Sequence, residues 1–524
     1  MQNESVLKTI SSFSVGKRNY EIKQSKKFGY ISLYDYILNK KNTSIKTTAS
    51  KSKDLFLKTP PKNKLDNLLN YYQKGDYKEA EKLALLISKT FPTHSFSWEI
   101  LGAIYEQTGR KNEALWINKK AVELAPQSLE PLNNLGNNLC ELGKYEEAEE
   151  CFKKAIVLSP KLAVSYCHLG NTQKKLGKLK ESVKSYKQSI NLQSDLYEPY
   201  YNLGLVSKNL GLLSQSEESF KKSIHLKPYD ADAYCDLGIT LMEMAKHNEA
   251  EDCFKQSIKI NPKFSRAYWN FTGLSKNIKQ AETCINKCLE IDNEHEEAKL
   301  TKAALRFYQN DIKDYQNLME STYKNHAYMR SFAWALNLSP LPELYFNRHY
   351  FYDSLVKKSI KSRPFYEYGV WMASSFKYLI KHLKKGYGFD TFTGLPEDWN
   401  TGHNIEKKGS YSSNGNVPSI KGAEFIVGKF EDTLPKFFSK KRPVASIINF
   451  DADLYSSTLC ALNFSKYVID KDTILIFDEF IMHESWENDE YKALNKFCND
   501  NNYEYEVISI SFFTKQVAVK IIAV

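Results

Sequence analysis

The chain has 524 residues, of which 42% are hydrophobic and 26% charged, values that suit two to four folded domains and exclude a chain that is fibrous or disordered throughout. Its net charge of +11 is concentrated at one end, because residues 1–62 carry 13 Lys and Arg against 4 Asp and Glu. No stretch reaches the ~20 apolar residues of a membrane helix, and the nine scattered cysteines form no CxxC pair, so we expect a cytoplasmic protein without a membrane partner, a disulfide framework or a zinc site.

Residues 1–61 form a basic segment rich in Ser, Thr and Lys, as in KKNTSIKTTASKSK. Such composition is typical of a solvated, flexible tail, and this is the interpretation we favour. The alternative is an arm that binds an anion such as nucleic acid, which would require the basic residues to lie on one folded face. We therefore expect no nucleic-acid partner.

The next region repeats with a period of 34 residues, which shows in two glycine series and one proline series. They are Gly102, Gly136, Gly170, Gly204 and Gly238; Gly75, Gly109, Gly143, Gly177 and Gly211, followed by Ala245; and Pro92, Pro126, Pro160, then Ser194, then Pro228 and Pro262. Each period predicts two amphipathic helices. The first glycine lies where the two helices approach closely, and the second lies past the end of the first helix, where a left-handed conformation is favourable. The proline ends the second helix.

This pattern resembles the tetratricopeptide repeat (TPR) over residues 62–293. The fold predicted for this range is an α-solenoid of about seven helix pairs, of which the last is shortened. The resemblance implies a superhelix whose concave surface binds a peptide or a protein. The alternative is a spacer or a dimerisation element. Residues 294–348 are irregular helical sequence and contain the proline-rich NLSPLPELYFNR, which predicts a helical connector.

From residue 349 to residue 524 short apolar runs alternate with helical stretches. The runs are PFYEYG, GYGFD, EFIVG, VASIINFD, TILIFD, YEVISI and QVAVKIIAV. Strands that alternate with helices predict an α/β, Rossmann-like domain with a mostly parallel sheet. The last two runs are too close together for a helical crossover, so the last of seven strands should be antiparallel. This outline resembles that of the class I methyltransferases.

Ligands of such sheets bind beyond the carboxyl ends of the strands. The residues there include Gly369, whose backbone could approach a ligand, and Asp390, at a distance suited to the hydroxyls of a ribose. Two acidic groups follow neighbouring strands, at Asp451 to Asp453 and at Asp478 with Glu479. Carboxylates this close repel each other unless a cation or a proton lies between them, which suggests Mg²⁺ or a similar ion. The alternative is that some of them cap helices.

The motifs YEYGVWMASS, YGFDTFTGLPEDW, VGKFEDTLP, NFDADLYSST and IFDEF together resemble the macrocin O-methyltransferase group, and the same pattern is similar to caffeoyl-CoA O-methyltransferases. The resemblance implies a domain that binds S-adenosylmethionine and a divalent cation, in which three sets of residues have roles. The cofactor would be bound by Glu367, Gly369, Val370, Ser375, Asp390 and Phe430, the metal by Asp451, Asp478 and Glu479, and Asp453 would lie beside the acceptor. Ala373 stands where that family usually has a second glycine.

The predicted reaction is methyl transfer to a hydroxyl of a sugar, a glycan or a natural product. His483 is the candidate base, and the alternative is a surface histidine at a helix start. The insertion over residues 393–422 is interpreted as a lid over the acceptor, or as a disordered loop.

Two other functions fit the sequence. Asp451-Ala-Asp453 could be the metal-binding DxD of a glycosyltransferase. The chain could also be a repeat scaffold whose methyltransferase-like domain is inactive.

Overall fold

A computed structural model describes residues 59–402 and 405–523. The chain divides into two compact units, Met1–Val206 and Ser207–Val524. The predicted basic segment, residues 1–61, lies outside the described residues except for positions 59–61. Within the described ranges, every helix is too short or too polar to cross a lipid bilayer.

The first unit consists of helices in antiparallel pairs. They are α1 (Lys62–Gln73), α2 (Tyr77–Thr90), α3 (Ser95–Gln107), α4 (Lys111–Leu124), α5 (Leu129–Glu141), α6 (Tyr145–Leu158), α7 (Ala163–Lys175), α8 (Leu179–Leu192) and α9 (Tyr197–Asn209), whose last residues pass the boundary at Val206. The two predicted roles of glycine are confirmed. A Cβ at Gly136 would lie 2.7 Å from the ring of Phe152, and Gly143 after the helix has a φ of +74°.

The second unit continues the helical pairs with α10 (Leu213–Leu226), α11 (Ala231–Glu243), α12 (His247–Ile260), α13 (Ser265–Thr272) and α14 (Ile278–Ile291). Together α1–α14 make the seven predicted pairs, and the last pair is shortened because α13 has only 8 residues. Three more helices follow: α15 (Glu296–Tyr308), α16 (Lys313–Met319) and α17 (Ala327–Leu336).

The rest of the second unit is built on a mixed sheet of eight strands in the order β1-β9-β10-β8-β7-β2-β3-β6. The strands are β1 (Glu343–Tyr345), β2 (Phe365–Tyr368), β3 (Gly386–Asp390), β6 (Ala423–Val427), β7 (Ile447–Phe450), β8 (Ile474–Phe477), β9 (Glu504–Ser511) and β10 (Val517–Ala523), and the short strands β4 (Trp399–Asn400) and β5 (Ile405–Glu406) form a separate hairpin. All pairings in the large sheet are parallel except those of β10. The antiparallel last strand is therefore confirmed.

The predicted count of seven strands is wrong by one. Strand β1 lies inside the predicted connector, residues 294–348, and pairs with the edge strand β9. Three residues are too few to show the alternation of apolar and polar residues that marks a strand in a sequence. The region 294–348 is therefore a connector that also supplies a strand to the sheet.

Five helices alternate with these strands: α18 (Arg348–Lys358), α19 (Ser374–Leu383), α20 (Phe430–Phe438), α21 (Tyr455–Ser465) and α22 (Glu490–Asn501). One row of buried aromatic rings crosses the sheet between them. Tyr368 stacks on Phe389 and on Phe450, with ring centroids 4.7 and 5.4 Å apart, and Phe450 stacks on Phe477 at 5.0 Å. Such pairs contribute about 0.5–1.5 kcal/mol each beyond their buried area. The row fixes the register of four adjacent strands at their carboxyl ends.

Candidate functional site

The residues that follow the aromatic row come together at one edge of the sheet. Gly369, Asp390, Asp451 and Asp478 each come directly after one of the four stacked rings. They line a cavity in which the centres of water-sized spheres can occupy about 270 Å³. The position agrees with the rule that ligands of parallel sheets bind beyond the carboxyl ends of the strands.

Seven of the eleven predicted site residues line this cavity: Gly369, Asp390, Phe430, Asp451, Asp453, Asp478 and Glu479. The other four, Glu367, Val370, Ser375 and His483, do not belong to its lining. Glu367 is fully buried in β2, where Oε1 accepts a hydrogen bond of 2.9 Å from the Ser375 hydroxyl. The hydrogen bond between Glu367 and Ser375 therefore connects β2 to the start of α19. Neither side chain lines the cavity.

The turn between β2 and α19 is held by the side chain of Asp390. Its Oδ2 accepts hydrogen bonds of 2.7 Å from the backbone N–H groups of Val370 and Trp371, and its Oδ1 accepts one of 2.6 Å from Phe392. Gly369 has a φ of +89°, and a Cβ there would lie 1.7 Å from the carbonyl oxygen of Asp451. Position 369 therefore requires glycine. Asp390 has two roles, because it holds the turn through hydrogen bonds and also lines the cavity.

Ala373 is the residue just before α19 and has a left-handed backbone with a φ of 60°. That conformation costs an alanine roughly 1–2 kcal/mol, whereas glycine adopts it freely. The buried Ala373 side chain packs in the apolar cluster beneath the turn.

The acidic residues of the cavity differ in their partners. Arg348 donates a hydrogen bond of 2.8 Å to Oδ2 of Asp478, and Gln516 donates to its Oδ1. Lys515 lies 2.9 Å from Oε2 of Glu479. Within residues 59–402 and 405–523 no donor of this kind reaches the carboxylates of Asp451 and Asp453.

Burial raises the pKa of Asp451 and the pKa of Asp453 well above the usual range of a carboxyl group, and the neighbouring carboxylates add to the rise. Burial also raises the pKa of Asp478, while the charge of Arg348 opposes that rise. A partner with a positive charge would relieve the repulsion, and so would a proton shared between the acids.

The predicted metal ligands Asp451, Asp478 and Glu479 do not fit a divalent cation in this arrangement. Among the described residues, no group of three or more His, Cys, Asp or Glu side chains is placed to hold one. Both oxygens of Asp478 already accept hydrogen bonds from Arg348 and Gln516, and Glu479 is paired with Lys515. A cation bound by Asp478 and Glu479 would have to displace those donors.

Asp453 does not cap the following helix, which was the alternative interpretation. The N-cap of α21 is Leu454, and no side chain makes the capping hydrogen bond. Asp453 instead has a left-handed backbone with a φ of 57°, a conformation in which Asp is enriched, and it lines the cavity.

His483 is not placed as the predicted base. Its Nε2 lies 2.8 Å from the carbonyl oxygen of Glu479, and its ring packs edge-on against Trp399 with centroids 6.1 Å apart. Burial lowers the pKa of this histidine. The ring thus supports the loop after β8 and is not in the lining of the cavity.

Sequence reasoning missed three groups that set the charge of the site. Arg348 belongs to the last position of the predicted connector, and Lys515 lies between the two last strands, so neither has a motif that marks it. Glu490 stands at the start of α22, where an acidic residue is usually exposed. It is only 1% exposed and neither carboxylate oxygen has a hydrogen-bond partner in the described structure.

The insertion over residues 393–422 contributes a wall to the cavity. Leu395 and Trp399 from its first part and Tyr411 from its second part are lining residues. Its two halves are joined by backbone hydrogen bonds between Leu395 and Ser410 and between Gly409 and Leu395. Tyr411 packs edge-on against Trp371 with ring centroids 5.6 Å apart. These described parts form one wall of the cavity, and their role as a lid over an acceptor stays a prediction.

The buried Glu367 predicts a pH-dependent stability. Burial raises its pKa to about 8 from an ordinary 4.5. The folded state therefore binds more protons than the unfolded state between these pH values, so stability falls as pH rises from 4.5 to 8. We expect Glu367→Gln, which can still accept from Ser375, to raise the melting temperature by at least about 4 °C at pH 8.5 and by much less at pH 5. The exposed Glu218 provides the control Glu218→Gln, and an equal gain at both pH values would contradict the assignment.

Comparison with known proteins concerns the helical part of the chain. Family models described as TPR repeat and tetratricopeptide repeat match residues 136–177, 174–211, 197–230 and 231–264. Residues 136–264 are tetratricopeptide repeats. Helical pairs flank these repeats on both sides within the predicted range of residues 62–293. No curated protein sequence matches the chain.

Several solved structures are similar to part of the chain. The TPR protein YrrB, which is described as having an unusual peptide-binding site, is 20% identical, with a TM-score of 0.31 and coverage of 35% of this chain and 95% of its own. MamA is 26% identical, with a TM-score of 0.30 over 31% of this chain and 95% of its own. PilF of Pseudomonas aeruginosa is 19% identical, with a TM-score of 0.36 over 40% of this chain and 96% of its own.

The TPR helices of the first unit enclose a polar groove. Side chains from α3, α5, α6 and α7 line it, among them Glu106, Asn137, Glu141, His168 and Asn171. Carboxylates, amides and an imidazole provide both hydrogen-bond donors and acceptors. The TPR array is thus a scaffold for protein interaction.

Proposed function

We propose that the sheet domain is a class I methyltransferase that transfers a methyl group from S-adenosylmethionine to a hydroxyl group. The proposal is supported by the order of the strands β6-β3-β2-β7-β8-β10-β9, with β1 added beyond β9, in which β2, the first strand of the alternating region, lies inside the sheet and the last strand is antiparallel. It is also supported by the strand order around β2, which pairs with β3 on one side and with β7 on the other. The connections that leave these strands therefore run toward opposite edges of the sheet. Such a switch point is where open α/β sheets bind ligands.

The observation that carries the proposal is the convergence of Gly369, Asp390 and Phe430 on one cavity. Gly369 brings backbone to the cavity without a side chain in the way. Beside its three backbone hydrogen bonds, Asp390 keeps one acceptor site free on Oδ1, which can accept from a ribose hydroxyl. Phe430 lies at the start of α20 and packs edge-on against Tyr368, which leaves it placed to border an adenine. Bound there, S-adenosylmethionine would supply a methyl group on a positively charged sulfur.

The acceptor side of the cavity combines apolar walls with unpaired carboxylates. Trp399 and Tyr411 supply aromatic surface of the kind that packs against the apolar face of a sugar ring. Asp453 and Asp451 add carboxyl oxygens that can accept hydrogen bonds to the lining of the same cavity. In the proposed reaction Asp453 orients the acceptor hydroxyl and takes its proton, the role first predicted for His483.

The TPR array is proposed to bring the catalytic domain to a protein or peptide, which either carries the acceptor or works beside this enzyme. The groove lined by Glu106, Glu141 and His168 is the candidate contact surface. We propose the cytoplasm as its compartment, where the nine free thiols of the described chain would stay reduced.

The proposal is tested by calorimetric titration of the full chain with S-adenosylmethionine and, separately, with a uridine-diphosphate sugar. We expect saturable binding of S-adenosylmethionine alone. Binding of the nucleotide sugar alone would instead favour the glycosyltransferase interpretation. Binding of S-adenosylmethionine without transfer of its labelled methyl group to any fraction of a host-cell extract would favour an inactive scaffold.

The paired state of Asp478 and Glu479 predicts how the protein responds to a chelator. Because Arg348, Gln516 and Lys515 already neutralise and hydrogen-bond these acids, removal of divalent cations should leave the affinity for S-adenosylmethionine within about twofold. The measurement is the same titration after dialysis against EDTA, with MgCl₂ added back as the control. If EDTA abolishes binding and MgCl₂ restores it, the prediction is contradicted, and Asp451, Asp478 and Glu479 are again the candidate ligands of a divalent cation.

A further inference from the structure

A turn of the repeat array lies against the outer side of the cavity wall. Gly211, in the turn between α9 and α10, has a φ of +68°, and a Cβ there would lie 2.8 Å from Cγ of Met372 and 2.9 Å from the ring of Trp371. Trp371 lines the cavity, and its N–H donates to Asp390. The contact therefore joins the repeats to the residue that shapes the predicted cofactor site.

This contact is peculiar to one repeat. Gly75, Gly109, Gly143 and Gly177 occupy the same place in the other repeats with similar φ values, and nothing among the described residues lies within 4 Å of a Cβ built on them. The next position of the series is Ala245, with a φ of 60°. The left-handed turn explains why glycine recurs in this series, although alanine can also occupy such a turn. Gly211 differs from the other glycines because a side chain there would collide with Met372 and Trp371.

A second contact joins the repeat array to the helix that carries another residue of the cavity. The ring of His247, at the start of α12, lies 5.3 Å from that of His349 and 4.9 Å from that of Tyr350. Both belong to the first turn of α18, which begins with Arg348, the partner of Asp478. The repeat array therefore contacts Trp371 directly, through the turn at Gly211, and contacts the two residues that follow Arg348, through His247.

We propose that Gly211 is a positioning residue of the cavity: the repeat turn at Gly211 holds the Trp371 wall against Asp390 and thereby sets the affinity for the ligand, which the proposed function identifies as S-adenosylmethionine. A side chain at this place would push the turn between β2 and α19 and lengthen the hydrogen bonds that Val370 and Trp371 donate to Asp390. The repeats would then be part of the binding site and not only a means of recruitment.

The test compares Gly211→Ala with Gly177→Ala in the full chain. Both variants place alanine at nearly the same positive φ, so they share the backbone strain and differ in the contact with Met372 and Trp371. The first readout is amide hydrogen exchange at Val370 and Trp371 in the ligand-free protein. We expect exchange to become about tenfold faster in Gly211→Ala, as overpacking of a fitted contact implies, and to stay within about twofold in Gly177→Ala.

A graded pair protects the test against a folding defect. Asparagine tolerates left-handed backbone, so Gly211→Asn adds bulk without more strain than Gly177→Asn. We expect exchange at Val370 and Trp371 to increase from Gly to Ala to Asn at position 211 and to stay flat at position 177, and the affinity for S-adenosylmethionine to fall in the same order, by about tenfold for Ala.

Equal exchange in the two series, or an equal rise at amides of the distant strand β9, would overturn the proposal. The outcomes separate it from the proposed function. Faster exchange in a protein that never binds S-adenosylmethionine would leave Gly211 as a positioning residue of a cavity with another ligand. Unchanged exchange and affinity in a protein that binds S-adenosylmethionine would reject the role of Gly211 alone.

Discussion

Replacing Asp390 with alanine is expected to weaken the binding of S-adenosylmethionine by at least about 100-fold. The variant leaves the N–H groups of Val370, Trp371 and Phe392 without the acceptor that the structure gives them. A donor left unsatisfied costs about 1–3 kcal/mol, and the turn that lines the cavity would relax to find other partners. The measurement is calorimetric titration of wild type and variant with S-adenosylmethionine.

The design includes two further variants. Asp390→Asn keeps one oxygen acceptor and should fall between wild type and Asp390→Ala. Asp500 is exposed and pairs with Lys496 on the surface of α22, so Asp500→Ala should bind like wild type. If Asp390→Ala has a normal melting temperature and binds within about twofold of wild type, Asp390 has no part in the cofactor site.

Replacing Asp453 with asparagine is expected to reduce methyl transfer by about 10²–10⁴-fold, the usual contribution of a positioned general base. Asparagine suits the left-handed backbone of this position, so the loop keeps its shape while the side chain loses its ability to take a proton. The affinity for S-adenosylmethionine should change by less than about threefold. The assay is transfer of the tritiated methyl group to the acceptor fraction of a host-cell extract.

His483→Gln is the matched comparison, because His483 was the base that the sequence predicted. The structure places its ring against the carbonyl of Glu479 and the ring of Trp399, so this variant should retain the rate of transfer within about threefold. A large loss in His483→Gln with normal transfer in Asp453→Asn would return the role of base to His483.

The sequence predicted the repeats well because their signals are local and periodic. A glycine needed for close helix packing, a glycine needed for a left-handed turn and a helix-ending proline recur at steps of 34 residues, with Ala245 and Ser194 as exceptions, and each has a local steric cause. The alternation of buried strands with amphipathic helices predicted the sheet for the same reason. The edge strand β1 was missed because three residues carry no period.

The site was only partly predictable because its chemistry depends on residues far apart in the chain. The strand ends located Asp390, Asp451 and Asp478 at one edge. The sequence held no sign that Arg348, 130 positions before Asp478, supplies the charge that a metal was expected to supply. Nor could it show that Glu367 points into the core, since the alternation of side chains along β2 is hidden when every residue of the strand is buried.

The central claim is that the cavity at the ends of β2, β3 and β7 binds S-adenosylmethionine, and a crystal structure of the full chain with S-adenosylhomocysteine tests it most directly. The account predicts an adenosyl group within about 4 Å of both Asp390 and Phe430, with its sulfur on the side of Asp453. A ligand bound at saturation anywhere outside this cavity, or an empty cavity under conditions where calorimetry shows full occupancy, would contradict it.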